Sequence, residues 1–142
     1  MMRPVSLASL VMVASLLAAC SGQSPYCRAV DAQKSVLDSF GAERTDAAYA
    51  RYAKALSSVA AEAPSTSRTE WAAAAKATRA VVEAHEKVGY RLDDMADEEK
   101  RAGLSEGDVE ILNRAYAAFN DSLPDRRAAV ADARATCDIK LK

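Results

Sequence analysis

The chain reads as an all-α protein: a four-helix up-down bundle with long third and fourth helices, preceded by a cleaved lipoprotein signal peptide. Three observations predict the helices. Alanine is the commonest residue, and only five Gly and four Pro interrupt the chain, a composition that favours helix. Apolar residues recur at spacings of three and four in separate segments. Val, Ile and Phe are too few and too irregularly placed for strands.

The N-terminus supplies the address. Arg3 is a short positive region, Val5 to Leu17 form an apolar run of thirteen residues, and Ala18 and Ala19 precede Cys20. Such a run suits the core of an export signal and is too short to stay in a bilayer as a spanning helix. Leu17-Ala18-Ala19-Cys20 resembles the lipobox of bacterial lipoproteins, which implies cleavage before Cys20 and diacylation of its thiol. An ordinary secretory signal followed by a chance cysteine is the competing reading. Residues 1–19 are then signal peptide, 20–25 a lipidated tether and 26–142 the folded domain. A polar tether of this length reaches at most about 20 Å, so the domain is expected on the extracytoplasmic face of the cell membrane, close to the lipid.

The first helix is predicted over Tyr26 to Phe40, with Tyr26, Val30, Leu37 and Phe40 on one face and Gly41 as its stop. The second begins near Thr45, carries Tyr49, Tyr52, Leu56 and Val59, and stops at Pro64. Ser67 and Glu70 read as a capping box opening the third. Its stripe is long: Trp71, Ala74, Ala75, Thr78, Val81, Val82, His85, Val88, Leu92 and Met95. Gly89 sits on that stripe, either as a close-packing point or as a weak spot. Gly103 marks the expected end.

Ser105 and Asp108 form a second capping box, with Leu104 placed to staple onto Val109. Beyond it, Val109, Tyr116, Leu123, Val130 and Cys137 repeat every seven residues, with Leu112, Phe119, Arg126 and Ala133 between them. This register runs through Pro124. The missing donor predicts a kink, although Ser122-Leu123-Pro124-Asp125 also suits the start of a fifth helix.

With Cys20 given to lipid, Cys27 and Cys137 are the remaining cysteines, and an exported pair has one connectivity. Free thiols or a metal site are the alternatives, and no neighbouring His completes a metal site. A bundle closed by this bridge needs Cys137 at the same end as Cys27, which favours one kinked fourth helix over a sharp reversal at Pro124. An alanine-rich core is thin, and a disulfide offsets that in a small exported domain. A third helix of about 35 residues would run about 52 Å, against about 22 Å for the first. Leu92, Met95, Leu112 and Tyr116 would then line a partly exposed seam far from the anchor, a candidate partner surface.

Tyr26-Cys27 after the tether, Ala63-Pro64 before a helix opening with Glu70-Trp71, Leu104-Ser105 at a later cap and Cys137 near the end resemble a group of small uncharacterised actinobacterial lipoproteins. The resemblance covers most of the mature domain. It implies a disulfide-closed helical domain on the outer face of the cell membrane and supplies no activity.

Few residues carry chemistry. His85 is the single histidine and centres the third stripe. As a haem or metal ligand it would act alone, so the stronger reading is a core histidine bonded to a tyrosine of the first or second helix. With Tyr49 and Tyr52 it forms a candidate ligand pocket. Asp93, Asp94, Asp97, Glu98 and Glu99 suit a solvated face better than a cation site. Arg126, Arg127, Arg134, Lys140 and Lys142 gather at the descending end of the fourth helix, where they suit the dipole and an anionic bilayer. A net charge of −1 leaves no footprint for nucleic acid. No nucleophile elbow or phosphate loop is present. The expected role is a non-enzymatic protein- or envelope-interaction domain without cofactor or metal. Its partners would be the membrane, through the anchor, and another envelope protein. The alternative is a carrier of haem or an apolar molecule in the bundle interior around His85.

Overall fold

The computed structural model describes residues 22–142; the signal segment and Cys20 lie outside them. The fold is all-α. Helices α1 (Pro25–Leu37), α2 (Asp46–Glu62) and α3 (Arg68–Val88) are followed by a 3-10 helix (Leu92–Ala96) and the short α4 (Glu98–Ala102). Helices α5 (Glu106–Asp121) and α6 (Leu123–Cys137) complete the order. Helix α3 is the centre of the packing: α2, α5 and α6 lie against it, while α1 covers α2 and reaches α6.

Local chemistry sets most helix starts. The Ser24 hydroxyl accepts from Cys27 N at 3.1 Å with Pro25 in the first turn, and Thr45 Oγ1 accepts from Ala48 N at 3.1 Å. Ser105 and Asp108 form the expected reciprocal capping box. The box expected at Ser67 does not form. Ser67 has ψ −1°, away from the extended backbone of a capping residue, and makes no side-chain cap bond. Its hydroxyl and Oε2 of Glu70 are buried without a hydrogen-bond partner.

Two helices are shorter than their stripes. The third was expected to run to Gly103, but it ends at Val88. Gly89 adopts φ 64°, ψ 26°, and the Gly89 and Tyr90 amides bond back to Glu86 and His85. That left-handed cap stops the helix although the apolar spacing continues. Leu92 and Met95 therefore belong to a chain reversal rather than to a long arm. Leu92 is 3 % exposed and Leu112 7 %, so half of the predicted seam is core, while Met95 stays exposed and Tyr116 half-buried. Asp94 and Glu98 likewise share no helix face. The expected single fourth helix is two, divided at Ser122, which closes α5 and opens α6. Pro124 has no N–H to continue the ladder, and the first bond of α6 runs from Arg126 N to Ser122 O at 3.1 Å. The direction survives the break, because both helices follow α3 and Cys137 reaches Cys27. The expected Val109–Tyr116–Leu123 line is a flank, with Val109 40 % exposed. The buried centre is Leu112, Ala115, Phe119, Ala129 and Ala133.

One end of the core gathers on Trp71, which is fully buried with Val30, Leu56 and Val59. Trp71 Nε1 donates to the Tyr26 hydroxyl at 3.0 Å, and that hydroxyl donates to Asp132 at 2.7 Å, tying α3, α1 and α6. The Cys27–Cys137 disulfide joins the same end with Cα atoms 5.3 Å apart. After α6 the chain turns back along α1 as a strap. Ile139 and Leu141 are buried, Lys142 N donates to Asp38 at 2.8 Å, and Lys34 Nζ donates to Lys140 O at 2.9 Å. Lys34 also pairs with Asp38, whose carboxyl it holds below the usual range.

The bridge spans 110 residues, so the Cys27→Ser, Cys137→Ser double variant is expected to lose up to about 4.7 kcal/mol of stability. Denaturant melts of the oxidised protein and the double variant measure it. Gly89→Ala must hold an L residue at positive φ with open space around its Cβ. A loss of about 1 kcal/mol is expected from backbone strain alone, and the same melts read it.

Candidate functional site

Of the sequence-selected residues, Tyr49, Leu92, Met95 and Tyr116 meet at the end of α1 away from the disulfide. Cys27 opens α1 and Phe40 follows its close, so the separation is about 20 Å, one helix length. Phe40 and Gly41 come from the α1–α2 turn, Tyr49 from the first turn of α2, and Leu92 and Met95 from the 3-10 helix. Tyr116, Phe119 and Asn120 come from α5, and Leu123 opens α6. With Arg44 they line an open cleft of about 380 Å³.

Two breaks in helix make this cleft. The reversal at Gly89 brings Leu92 and Met95 back over the helix ends, and the Asp46 carboxylate fixes the reversal by accepting from Leu92 N at 3.3 Å. Arg91 braces it with Asp93 at 2.9 Å and Asp46 at 3.9 Å. The break at Ser122 turns Leu123 to the cleft. Behind it the rings support one another, with Phe40 and Phe119 centroids 6.1 Å apart and Tyr49 and Phe119 5.9 Å apart.

His85 stands behind the wall, 2 % exposed. Its Nδ1 lies 2.6 Å from the Tyr90 carbonyl and its Nε2 2.8 Å from the Tyr116 hydroxyl. A carbonyl only accepts, so Nδ1 carries the proton and, in the neutral ring, Nε2 accepts from Tyr116. The Met95 sulfur lies 3.0 Å from the same hydroxyl. The bonded tyrosine thus comes from α5, not from the first or second helix as expected. Both ring nitrogens are engaged, and an axial ligand role would first break one of these buried bonds.

Comparison with protein-family models, curated proteins and solved structures finds no match to this chain.

The geometry alone therefore assigns the roles. The expected pocket of His85, Tyr49 and Tyr52 does not assemble as one cavity. Tyr49 faces the cleft and shares a small hollow beside Phe40 with Tyr52, whose hydroxyl accepts from Arg126 Nε at 2.6 Å, while His85 is sealed apart from both. Arg126, placed by its spacing at a core position, also lies 4.1 Å over the Phe40 ring and donates to Lys142 O at 2.9 Å. It positions Phe40 and holds the strap, which gives its cation a structural use. Of the expected partner surface, Met95 and Tyr116 line the cleft with Leu92 at its base, and Leu112 packs beneath. Arg44 and Asn120 were not singled out, because an arginine in a polar turn and an asparagine near a helix end have no periodic signature. The acidic segment is used locally. Asp97 caps α4, Asp94 pairs with Lys100 at 2.6 Å, and no group of carboxylates, Cys or His among the described residues is arranged to hold a metal.

Burial pushes the Tyr116 phenol up to about 12, with Tyr49 and Asp46 adding to it and Arg44 opposing. Burial and then the bond to Asp132 push Tyr26 up to about 12, and burial also raises Tyr52 against the pull of Arg126. The folded state keeps these protons where the unfolded chain, titrating near 10, releases them. Stability is therefore expected to fall as pH rises from about 10 and to be lost through about 12. Phenolate absorbance and ellipticity followed together across that window check this: Tyr26 and Tyr116 should ionise last, along with unfolding.

Proposed function

We propose that the protein is a lipoprotein anchored through Cys20 on the extracytoplasmic face of the cell membrane, with residues 1–19 removed as a signal peptide. Its body is a non-enzymatic envelope-interaction domain whose binding surface is the aromatic cleft. In this reading α1, α2, α3 and the broken α5–α6 pair are the four arms of an up-down bundle. The disulfide end faces the membrane and the cleft faces away from it.

The observation that carries the reading is convergence. Tyr49, from the expected ligand pocket, and Met95 and Tyr116, from the expected partner surface, lie far apart in the chain, yet they line one open cleft of about 380 Å³ with Leu92 beneath them. That volume falls in the range of small binding sites. The phenol beside it stays neutral through physiological pH, and the histidine behind it serves the wall. Both features suit recognition. Residues 22–24 lead directly into α1, whose cap is held by Ser24, which supports an anchor at the end of that helix away from the cleft.

Two measurements test the reading. In a lipoprotein-processing bacterium fed alkyne-tagged palmitate, the wild-type chain should take up label and sediment with membranes, and Cys20→Ser should lose both. Wild-type protein without label sinks the anchor. Native mass spectrometry of protein released from the envelope should show a bound mass that Tyr49→Ala and Met95→Glu both lose. A bare wild-type protein, or a mass kept by both variants, removes the cleft.

A further inference from the structure

The cleft contains one formal charge. Arg44 is the only ionisable side chain among its lining residues besides the phenols of Tyr49 and Tyr116, and it forms no ion pair among the described residues. Neighbouring cations are matched: Arg91 by Asp46 and Asp93, Lys100 by Asp94, and Arg126 by the Tyr52 hydroxyl and the Lys142 carbonyl. Arg44 also separates the cleft from a second hollow of about 390 Å³ that shares Arg44, Leu92 and Met95 with it. Asp93 borders that second hollow, already bonded to Arg91. A guanidinium has five donors in a planar fork, and here they stand at the rim of an apolar hollow without a partner.

We propose that the cleft binds a small amphipathic anion: an aromatic or branched apolar body seated on Phe40, Tyr49, Leu92 and Phe119, and one carboxylate, sulfonate or phosphate held by Arg44. The inference rests on the cleft being the domain's binding surface and names what that surface takes.

Three arguments select this class. Surface character disfavours a folded partner, because a stable protein interface buries upwards of about 1,000 Å² around an apolar centre. Apart from Met95, the only large apolar side chain exposed among the described residues is Val109, so no broad apolar patch surrounds the cleft. Charge excludes the other ligand that aromatic walls attract. A cluster of rings suits a quaternary ammonium, but an unpaired guanidinium at the rim repels it and attracts an anion. The ligand must also be amphipathic, because Phe119 and Leu92 at the base give an anion nothing, while Arg44, with Asn120 and the phenols of Tyr49 and Tyr116, supplies the polar groups that orient it.

The test uses two dyes of similar body and different charge: 1-anilinonaphthalene-8-sulfonate, an anion, and the neutral N-phenyl-1-naphthylamine. Each is titrated by fluorescence against the exported full chain carrying Cys20→Ser, disulfide intact and free of detergent. The sulfonate is expected to bind with one-to-one stoichiometry. Arg44→Gln should weaken it about tenfold, the loss of one charge-assisted bond, and Arg44→Lys should restore most of the affinity. Neutral-dye affinity should be unchanged by either arginine variant, and Tyr49→Ala should weaken both dyes. Arg44 is an exposed turn residue, so its variants keep the fold, and identical melting curves verify that. Equal sulfonate affinity in wild type and Arg44→Gln overturns anion recognition while leaving the cleft as a binding surface. Failure of both dyes to bind overturns the inference, and the envelope-derived mass then decides separately whether the cleft binds anything.

Discussion

A core built largely of alanine is the constraint on which the rest of this structure depends. Ala55, Ala74, Ala75, Ala129 and Ala133 are all buried in the cluster around Trp71. Small side chains let helix backbones approach closely, but each removes little apolar surface from water, at about 0.8 kcal/mol for each buried methylene it lacks. Packing of this kind leaves helices close together and weakly selected in register. The few large residues and the polar cross-links must supply the selection.

They do so at defined places. Trp71 fills the centre of the disulfide end, and its indole N–H begins a chain of bonds through Tyr26 to Asp132 that joins three helices. Arg126 replaces an apolar residue at a core position. Its head lies over Phe40, and its donors reach Tyr52 and the strap. The strap then covers what α1 and α6 leave open, with Ile139 and Leu141 buried beneath it. The disulfide closes the same end and acts on the unfolded chain as much as on the native contacts. Every one of these devices compensates for missing side-chain volume: the Trp71 chain and the disulfide act at the start of α1, while Arg126 and the end of the strap act near its close, at Asp38 and Phe40.

The end away from the disulfide is built differently, and the cleft is the result. Phe40, Tyr49, Phe119 and Tyr116 bring large rings to a place where α1 has ended, α3 has been capped and α5 gives way to α6. Rings stacked and tilted against one another cannot close a corner where three helices terminate. The reversal over 89–104 narrows that corner and leaves it open. Its grip is local: the Leu92 side chain, the Asp46 carboxylate and the Tyr90 carbonyl hold it, while α4 buries no residue.

The legible and illegible parts of this fold divide along the same line. Helix content, the starts at Thr45 and Ser105, the stop at Pro64 and the Cys27–Cys137 pairing could be read because each depends on local chemistry or on simple counting. The stripe from Trp71 to His85 was legible for the same reason. Its continuation to Met95 misled, because apolar spacing shows which residues seek a core and says nothing of whether the backbone between them is continuous. One glycine with φ near 64° sends Leu92 and Met95 to the same core by a reversed route. The strap was missed although Ile139-Lys140-Leu141-Lys142 alternates apolar and charged residues, since four residues after a helix are too few to stand out from a tail. His85 shows what such a reading weighs badly. A lone histidine on a helical stripe invites a ligand role, yet this position needs one donor for a carbonyl five residues ahead and one acceptor for a hydroxyl on another helix. Leucine supplies neither, and glutamine would lose more rotamer freedom in supplying both. A neutral imidazole holds donor and acceptor at fixed angles on a rigid ring. The histidine is therefore explained by the turn it ties to α5, and the cleft in front of it exists because that turn is held.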